Sequence, residues 1–217
     1  MSFVYNPPTE PFLNILYRDD DLIVCDKPSG LLSVRGKAKE HQDSLEARLQ
    51  SVLPTVGIVH RLDMSTSGIM VMPLNKPAHS SIARQFQERE TSKTYIANVW
   101  GKPKTQSGVI ELPLICDWPN RPKQMVCFEN GKPSTTLWRV LSTNDVSSRI
   151  ELTPITGRSH QLRVHMLHLG HPILGDKFYA HQAAFDAAPR LNLHAQALSF
   201  THPVTGKNLS FYSPAPF

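Results

Sequence analysis

The stretch GIVHRLDMSTSGIMVM, residues 57–72, places an imidazole, a guanidinium and a carboxylate directly before an apolar run. A desolvated charge persists only when it is paired. His60, Arg61 and Asp63 therefore mark either a solvated loop leading into a strand or a chemical site. Ser65-Thr66-Ser67-Gly68 forms a small polar turn, and the continuous apolar IMVMPL (69–74) reads as a short buried strand.

Upstream, LNILY (13–17) and LIVCDK (22–27) are β-rich and flank RDDD, which predicts a hairpin that Pro28-Ser29-Gly30 ends. SVRGKAKEHQ, with Arg35, Lys37 and Lys39, is a polar, basic surface loop. SLEARLQSVL (44–53) puts Leu45, Leu49 and Val52 on one helical face, with Asp43 as the expected N-cap. Downstream, PAHSSIARQFQERE (77–90) predicts a helix that starts at Pro77, and KTYIANVWG (93–101) a strand carrying Tyr95.

Residues 102–136 are rich in Pro, Gly and basic side chains and read as hairpins with long loops. TLWRVL and SRIELTPI flank STNDVS as a second hairpin. TGRSHQLRVHMLHLG (156–170) predicts a helix from Thr156 to Gly170, and LNLHAQALSF and NLSFYS close the chain as strands. No regular βαβ rhythm and no Gly-rich phosphate loop is present. The expectation is an α+β fold with a mixed, largely antiparallel central sheet flanked by helices and loops, organised as one two-lobed catalytic domain over 1–217.

The 217 residues are 40% hydrophobic and 19% charged, ordinary for a globular protein, with no stretch approaching a membrane span. MSFVYNPPTEPF has no basic region leading into an apolar run, so no secretory leader is expected. Cys25, Cys116 and Cys127 are widely spaced with no CxxC pair, which fits reduced, mostly buried thiols in a cytoplasmic protein and neither a disulfide framework nor a zinc site. The net charge of +5 and a pI near 9.2 favour a polyanionic partner without requiring one.

HRLD alone carries little, since Arg61 and Asp63 also suit a solvated turn. It is not a kinase catalytic loop, because Leu62 interrupts H-R-D and no Gly-rich loop precedes it. In GRSHQLRVHMLHLGH, residues 157–171, His165 and His168 stand three apart, so on a helix both reach toward one metal. No acid follows until Asp176 and no water-activating Glu is present, so structural or RNA-facing histidines, His160 among them, are the competing reading. Arg158 and Arg163 matter more: a buried arginine needs a carboxylate, and Asp63 is a candidate. Tyr95 is either a half-buried strand aromatic or a platform for a nucleobase. The basic clusters at Arg35, Lys37 and Lys39 and at Arg121, Lys123 and Lys132 are individually ordinary solvated faces, but Trp118 adds a stacking surface that points the second toward RNA.

In order along the chain, HRLDMSTSG, KTYIANVWG, ITGRSHQLRVHMLHLGHPILGD and LNLHAQALSFTHP resemble the RluA-type pseudouridine synthases, and the similarity runs from about Leu13 to the C-terminus. The resemblance implies the pseudouridine synthase fold, with an active-site cleft between two lobes and no extra N-terminal RNA-binding module. It implies an enzyme without cofactor or metal that turns uridine into pseudouridine. Asp63 takes the part of the catalytic aspartate, Tyr95 of the aromatic packing on the base, Arg163 of the aspartate's partner, and Arg61 of the arginine that fills the stack. Possible further RNA contacts are Arg35, Lys37, Trp118, Arg121, Lys123, Arg158 and His160. Similarity to the compact dual-specificity branch implies 23S ribosomal RNA and transfer RNA as partners and a monomeric enzyme. Extruding a base costs roughly a few kcal/mol, and stacking returns about 1–3 kcal/mol per base. Burial favours a neutral Asp63; a guanidinium at ~4 Å and an effective dielectric of ~20 opposes this by roughly 4 kcal/mol.

Overall fold

The computed structural model describes residues 4–217. Residues 1–3, the start of the segment read above as no leader, lie outside the described residues. In chain order the elements are β1 (Ile15–Arg18), β2 (Leu22–Lys27), α1 (Leu45–Gln50), β3 (Ser67–Pro73), α2 (Lys76–Glu88), β4 (Ser92–Trp100), β5 (Ser107–Glu111) and β6 (Leu114–Cys116). They continue with β7 (Gln124–Val126), β8 (Thr135–Thr143), β9 (Ser147–Pro154), α3 (Gln161–His168), α4 (Gln182–Asp186), β10 (Leu193–Thr201) and β11 (Asn208–Tyr212). This is an α+β fold built on a mixed, mostly antiparallel sheet with few helices. The chain divides into two compact units.

The first unit holds the described residues up to Lys93 together with Ala195–Ala215. Asp19 makes the expected hairpin turn by accepting the Asp21 and Leu22 amides at 2.8 and 2.9 Å, which starts β2 against β1. Strand β3 is buried along its whole length and pairs antiparallel with β2, from Leu22 opposite Pro73 to Lys27 opposite Gly68. Leu22, Val24, Ile69, Val71 and Ile82 pack with Leu198 and Phe200 into the core of this unit. Gly68 has φ 121°, and a Cβ there would collide with the Ala195 backbone, so glycine permits the close approach of β10. Ser44, not Asp43, caps α1 by accepting the Ala47 amide at 3.1 Å. Asp43 instead binds Arg48. Val52 lies beyond the helix and is exposed, because α1 ends at Gln50 before Val52 can join the apolar face. Asn75 caps α2 through the Ala78 amide.

The second unit holds Thr94–His194 and Pro216–Phe217. Its strands run in the order β4-β9-β8-β5, each pair antiparallel, and β6 and β7 form a separate hairpin. Ala97, Val99, Trp138, Ile150 and Leu152 make the core with Leu162 and Met166 of α3. That helix starts at Gln161, five residues later than expected. Thr156 donates its hydroxyl to the Gln161 side chain at 2.7 Å rather than capping the helix, and His160 precedes it with a left-handed φ of 53°. The short helix α4 had no periodic signal in the sequence. Of the three free cysteines only Cys25 is fully buried. No helix among the described residues is long and apolar enough to cross a membrane.

Candidate active site

In the first unit, Arg61 is exposed and Asp63 half-buried on the loop that enters β3. This loop is held by its backbone. The Ser33 hydroxyl donates to the Leu62 carbonyl at 2.7 Å and accepts the Leu62 amide at 3.1 Å. The Met64 carbonyl accepts from the Gly30 amide at 2.8 Å and from the Lys27 ammonium at 3.1 Å. Ser29 donates to the Ser65 carbonyl at 2.7 Å, and the Thr66 amide closes a turn on the Asp63 carbonyl at 3.1 Å. Lys27 is completely buried, and its ammonium also meets the Pro28 and Leu31 carbonyls at 2.9 and 2.7 Å. A lysine closing the apolar run LIVC was the sequence signal for this anchor; it was not among the predicted site residues.

His60 serves structure. Its Nε2 accepts the Val71 amide at 3.0 Å and its ring stacks on Phe86 at 4.4 Å. Although the residue keeps some exposed surface, the ring is enclosed by protein atoms; desolvation, then the nearby Lys93 charge, push its pKa down to about 3. The imidazole is neutral and accepts at Nε2. Arg35, at the base of the basic loop, binds Gln50 and reaches Glu46 at 3.7 Å, while Lys37 is exposed.

In the second unit, Tyr95 on β4 stands opposite Leu152 of β9 and packs, half-buried, against the core. Arg163 on α3 is 4% exposed and forms a two-pronged ion pair with Asp176, which is 0% exposed: Nε to Oδ2 and Nη2 to Oδ1, each 2.7 Å. Oδ1 of Asp176 also accepts the Phe178 and Tyr179 amides at 2.9 and 3.2 Å. The guanidinium lies over both rings, 5.2 Å from Phe178 and 5.1 Å from Tyr179. Asp176 was noted in the sequence only as the acid that ends the histidine run; its pairing is set by the chain turning back after α3.

Tyr179 joins further elements. Its hydroxyl accepts the Gln124 amide of β7 at 2.8 Å and lies 2.6 Å from His160 Nδ1. On the loop between β6 and β7, Trp118 is 64% exposed and Arg121 stacks over it at 4.8 Å. Lys123, half-buried beside them, accepts the Asp117 amide at its carbonyl. Arg158 is exposed and reaches the Pro133 carbonyl at 3.4 Å.

The shared-metal reading of His165 and His168 does not survive this geometry. His165 is fully buried with Nδ1 on the Thr136 hydroxyl and Nε2 on the Leu112 carbonyl, whereas His168 is exposed. Asp19, Asp21 and His202 bring their ligand atoms within 4.8 Å of one another. They are already committed: His202 accepts the Val204 and Thr205 amides at Nδ1 and meets Asp19 at 2.9 Å through Nε2.

The family model for RNA pseudouridylate synthase matches residues 21–168, more than half of the chain and inclusive of Arg61, Asp63, Tyr95 and Arg163. The chain belongs to the RNA pseudouridylate synthase family. It is 57% identical to the dual-specificity RNA pseudouridine synthase RluA of Escherichia coli strain K12 over 98% of both chains. It is 57% identical to the protein of the same name from Yersinia pestis, over 94% of this chain and 99% of that one. Among solved structures, human RNA pseudouridylate synthase domain containing 1 matches with TM-score 0.79 and 32% identity, over 100% of this chain and 86% of the other.

The protein is thus an enzyme that isomerises uridine in RNA to pseudouridine, and the fold is that of the pseudouridine synthases. In this synthase Arg61 and Asp63 flank a Leu62 whose backbone is fixed on both sides, and Arg163 is fixed by Asp176. Both arrangements suit a reaction that needs precise placement of charge.

Proposed function

We propose that this synthase acts in the cytoplasm on specific uridines of 23S ribosomal RNA and of the transfer RNA anticodon stem-loop, with the whole chain serving as one catalytic domain. The dual specificity named for relatives at 57% identity supports two RNA substrates. The observation that carries the catalytic reading is the pinned loop: Leu62, Met64 and Ser65 are each held by backbone bonds, so the intervening Asp63 is presented from a rigid support.

The target nucleotide leaves the stack, because chemistry at C1′ needs access that a stacked base denies. Arg61, exposed on the loop, enters the space it leaves, and Tyr95 packs on the extruded uracil. Asp63 acts as a carboxylate, either attacking C1′ or first removing a proton from the sugar. Arg163, oriented by Asp176, is the residue that resembles the family partner of the catalytic aspartate. The N1–C1′ bond breaks, the uracil turns, a C5–C1′ bond forms, and the C5 proton is lost as N1 gains one. Substrate and product are isomers, so the step needs no redox partner. Trp118 and Arg121, with Lys123, Arg158, His160, Arg35 and Lys37, supply RNA contacts outside the reacting nucleotide.

Asp63→Asn tests this reading. The variant is expected to fold and to bind a uridine-bearing anticodon stem-loop while forming no pseudouridine; full activity would refute the assignment. Mapping pseudouridine in 23S and transfer RNA from cells with and without the protein tests the substrates, and sites that persist without it lie outside its range.

A further inference from the structure

Ser33 holds the catalytic loop in a way none of the other anchors does. Its one hydroxyl bonds both backbone groups of Leu62. Those two groups belong to different peptide planes. The Leu62 amide lies in the plane that joins Arg61 to Leu62, and the Leu62 carbonyl in the plane that joins Leu62 to Asp63. Fixing both planes sets the directions in which the chain carries the Arg61 and Asp63 side chains. Ser33 is 4% exposed and Leu62 7%, so water has little access to replace the hydroxyl.

The serine is itself held from behind. The first amides of a helix have no partner within the helix. In α1 the Leu45 amide donates to the Leu32 carbonyl at 2.8 Å, and the Glu46 amide to the Ser33 carbonyl at 3.2 Å. The Leu32 amide binds the Tyr5 hydroxyl at 3.0 Å, which in turn donates to the Asp43 carbonyl at 2.8 Å. A continuous path of short bonds therefore runs from α1 through Ser33 to Leu62.

We propose that Ser33 is a positioning residue of the synthase reaction: anchored on α1, its hydroxyl aligns the Arg61–Leu62 and Leu62–Asp63 peptides so that the guanidinium enters the vacated stack while the carboxylate meets the sugar of the extruded nucleotide. This rests on the roles assigned above to Arg61 and Asp63. Misplacement of a reacting group by about 1 Å, from a change outside the chemistry, costs about 10²-fold in rate. Losing the two bonds releases two peptide planes next to Asp63, so the chemical step slows while contacts to the rest of the RNA stay.

The experiment compares wild type, Ser33→Ala and Asp63→Asn on an anticodon stem-loop. Pseudouridine formation is measured in single turnover with saturating enzyme, well below the melting temperature of each variant, and RNA affinity by fluorescence anisotropy. A 2-aminopurine beside the target uridine reports base extrusion. Ser33→Ala is expected to slow the single-turnover rate about 10–100-fold, to reduce the 2-aminopurine change, and to bind RNA as wild type does. A merely structural serine would shift melting and leave the rate of the folded enzyme alone. If Ser33→Ala does not fold, Ser33→Cys keeps the shape with weaker bonding and is expected to give a smaller loss of the same kind. A wild-type rate in the folded variant overturns the proposal, as does a rate loss fully matched by weaker RNA binding. An active Asp63→Asn would remove the catalytic reading itself, whereas an inactive Asp63→Asn beside a fully active Ser33→Ala removes only the role of Ser33.

Discussion

Replacing Asp176 by Asn exchanges one oxygen for an amide and removes one charge from a buried pair. Oδ1 accepts the Phe178 and Tyr179 amides and Nη2 of Arg163, while Oδ2 accepts Nε of Arg163 at 2.7 Å. An asparagine that keeps its oxygen at the Oδ1 position points its NH2 group at Nε, donor against donor. The opposite rotamer faces the two backbone amides with donors instead. Either choice breaks at least one prong and takes the Asp176 charge away from a guanidinium that is 4% exposed. Breaking a buried pair by removing one partner costs about 3–5 kcal/mol. For a chain of this size each kcal/mol moves the melting temperature by roughly 2–4 °C, so a fall of about 6–20 °C is expected. Thermal melts followed by circular dichroism measure it. Because Arg163 is oriented by this pair, the single-turnover rate should fall as well, in the fraction that remains folded. A melting temperature within about 2 °C of wild type would refute the reasoning, since a loss that small belongs to exposed pairs rather than buried ones.

Two other outcomes follow from the same geometry. The folded His60 pKa of about 3 lies below its ordinary 6.5, so between these values the unfolded chain binds the extra proton. The contribution is complete above pH 6.5 and is lost as pH falls toward 3; urea melts across that window should show a shallower pH slope in His60→Gln, and an unchanged slope would count against it. Trp118→Ala, at an exposed ring on which Arg121 stacks, should weaken stem-loop binding by about 1–3 kcal/mol while leaving the melting temperature as it is; unchanged affinity removes this hairpin from the RNA interface.

Much of the chain is legible because local chemistry agrees with the final fold. The apolar run after HRLD becomes the fully buried β3, and the β-rich segments around RDDD become β1 and β2, turned by Asp19. Elsewhere local signals compete. Asp43 and Ser44 are both good caps, and Ser44 wins because Arg48 takes the Asp43 carboxylate. Thr156 has capping chemistry, but its hydroxyl is drawn to Gln161, which delays α3 to the residue after His160. The histidine spacing that suggested a metal was outweighed by burial, which commits both nitrogens of His165 to Thr136 and Leu112.

By itself the sequence determined the α+β class, the loop-to-strand entry at Asp63, and the ordered motifs that resemble the pseudouridine synthases. These depend on side-chain type and on neighbours a few positions away. The tertiary structure decided what stands behind the chemical groups. Asp176 grips Arg163 from thirteen residues away, and Lys27 and Ser33 hold a loop that starts about thirty residues later. A buried lysine, a serine hydroxyl and an aspartate carry no periodic signal, because their partners are backbone groups and charges that only the folded chain brings within hydrogen-bond distance.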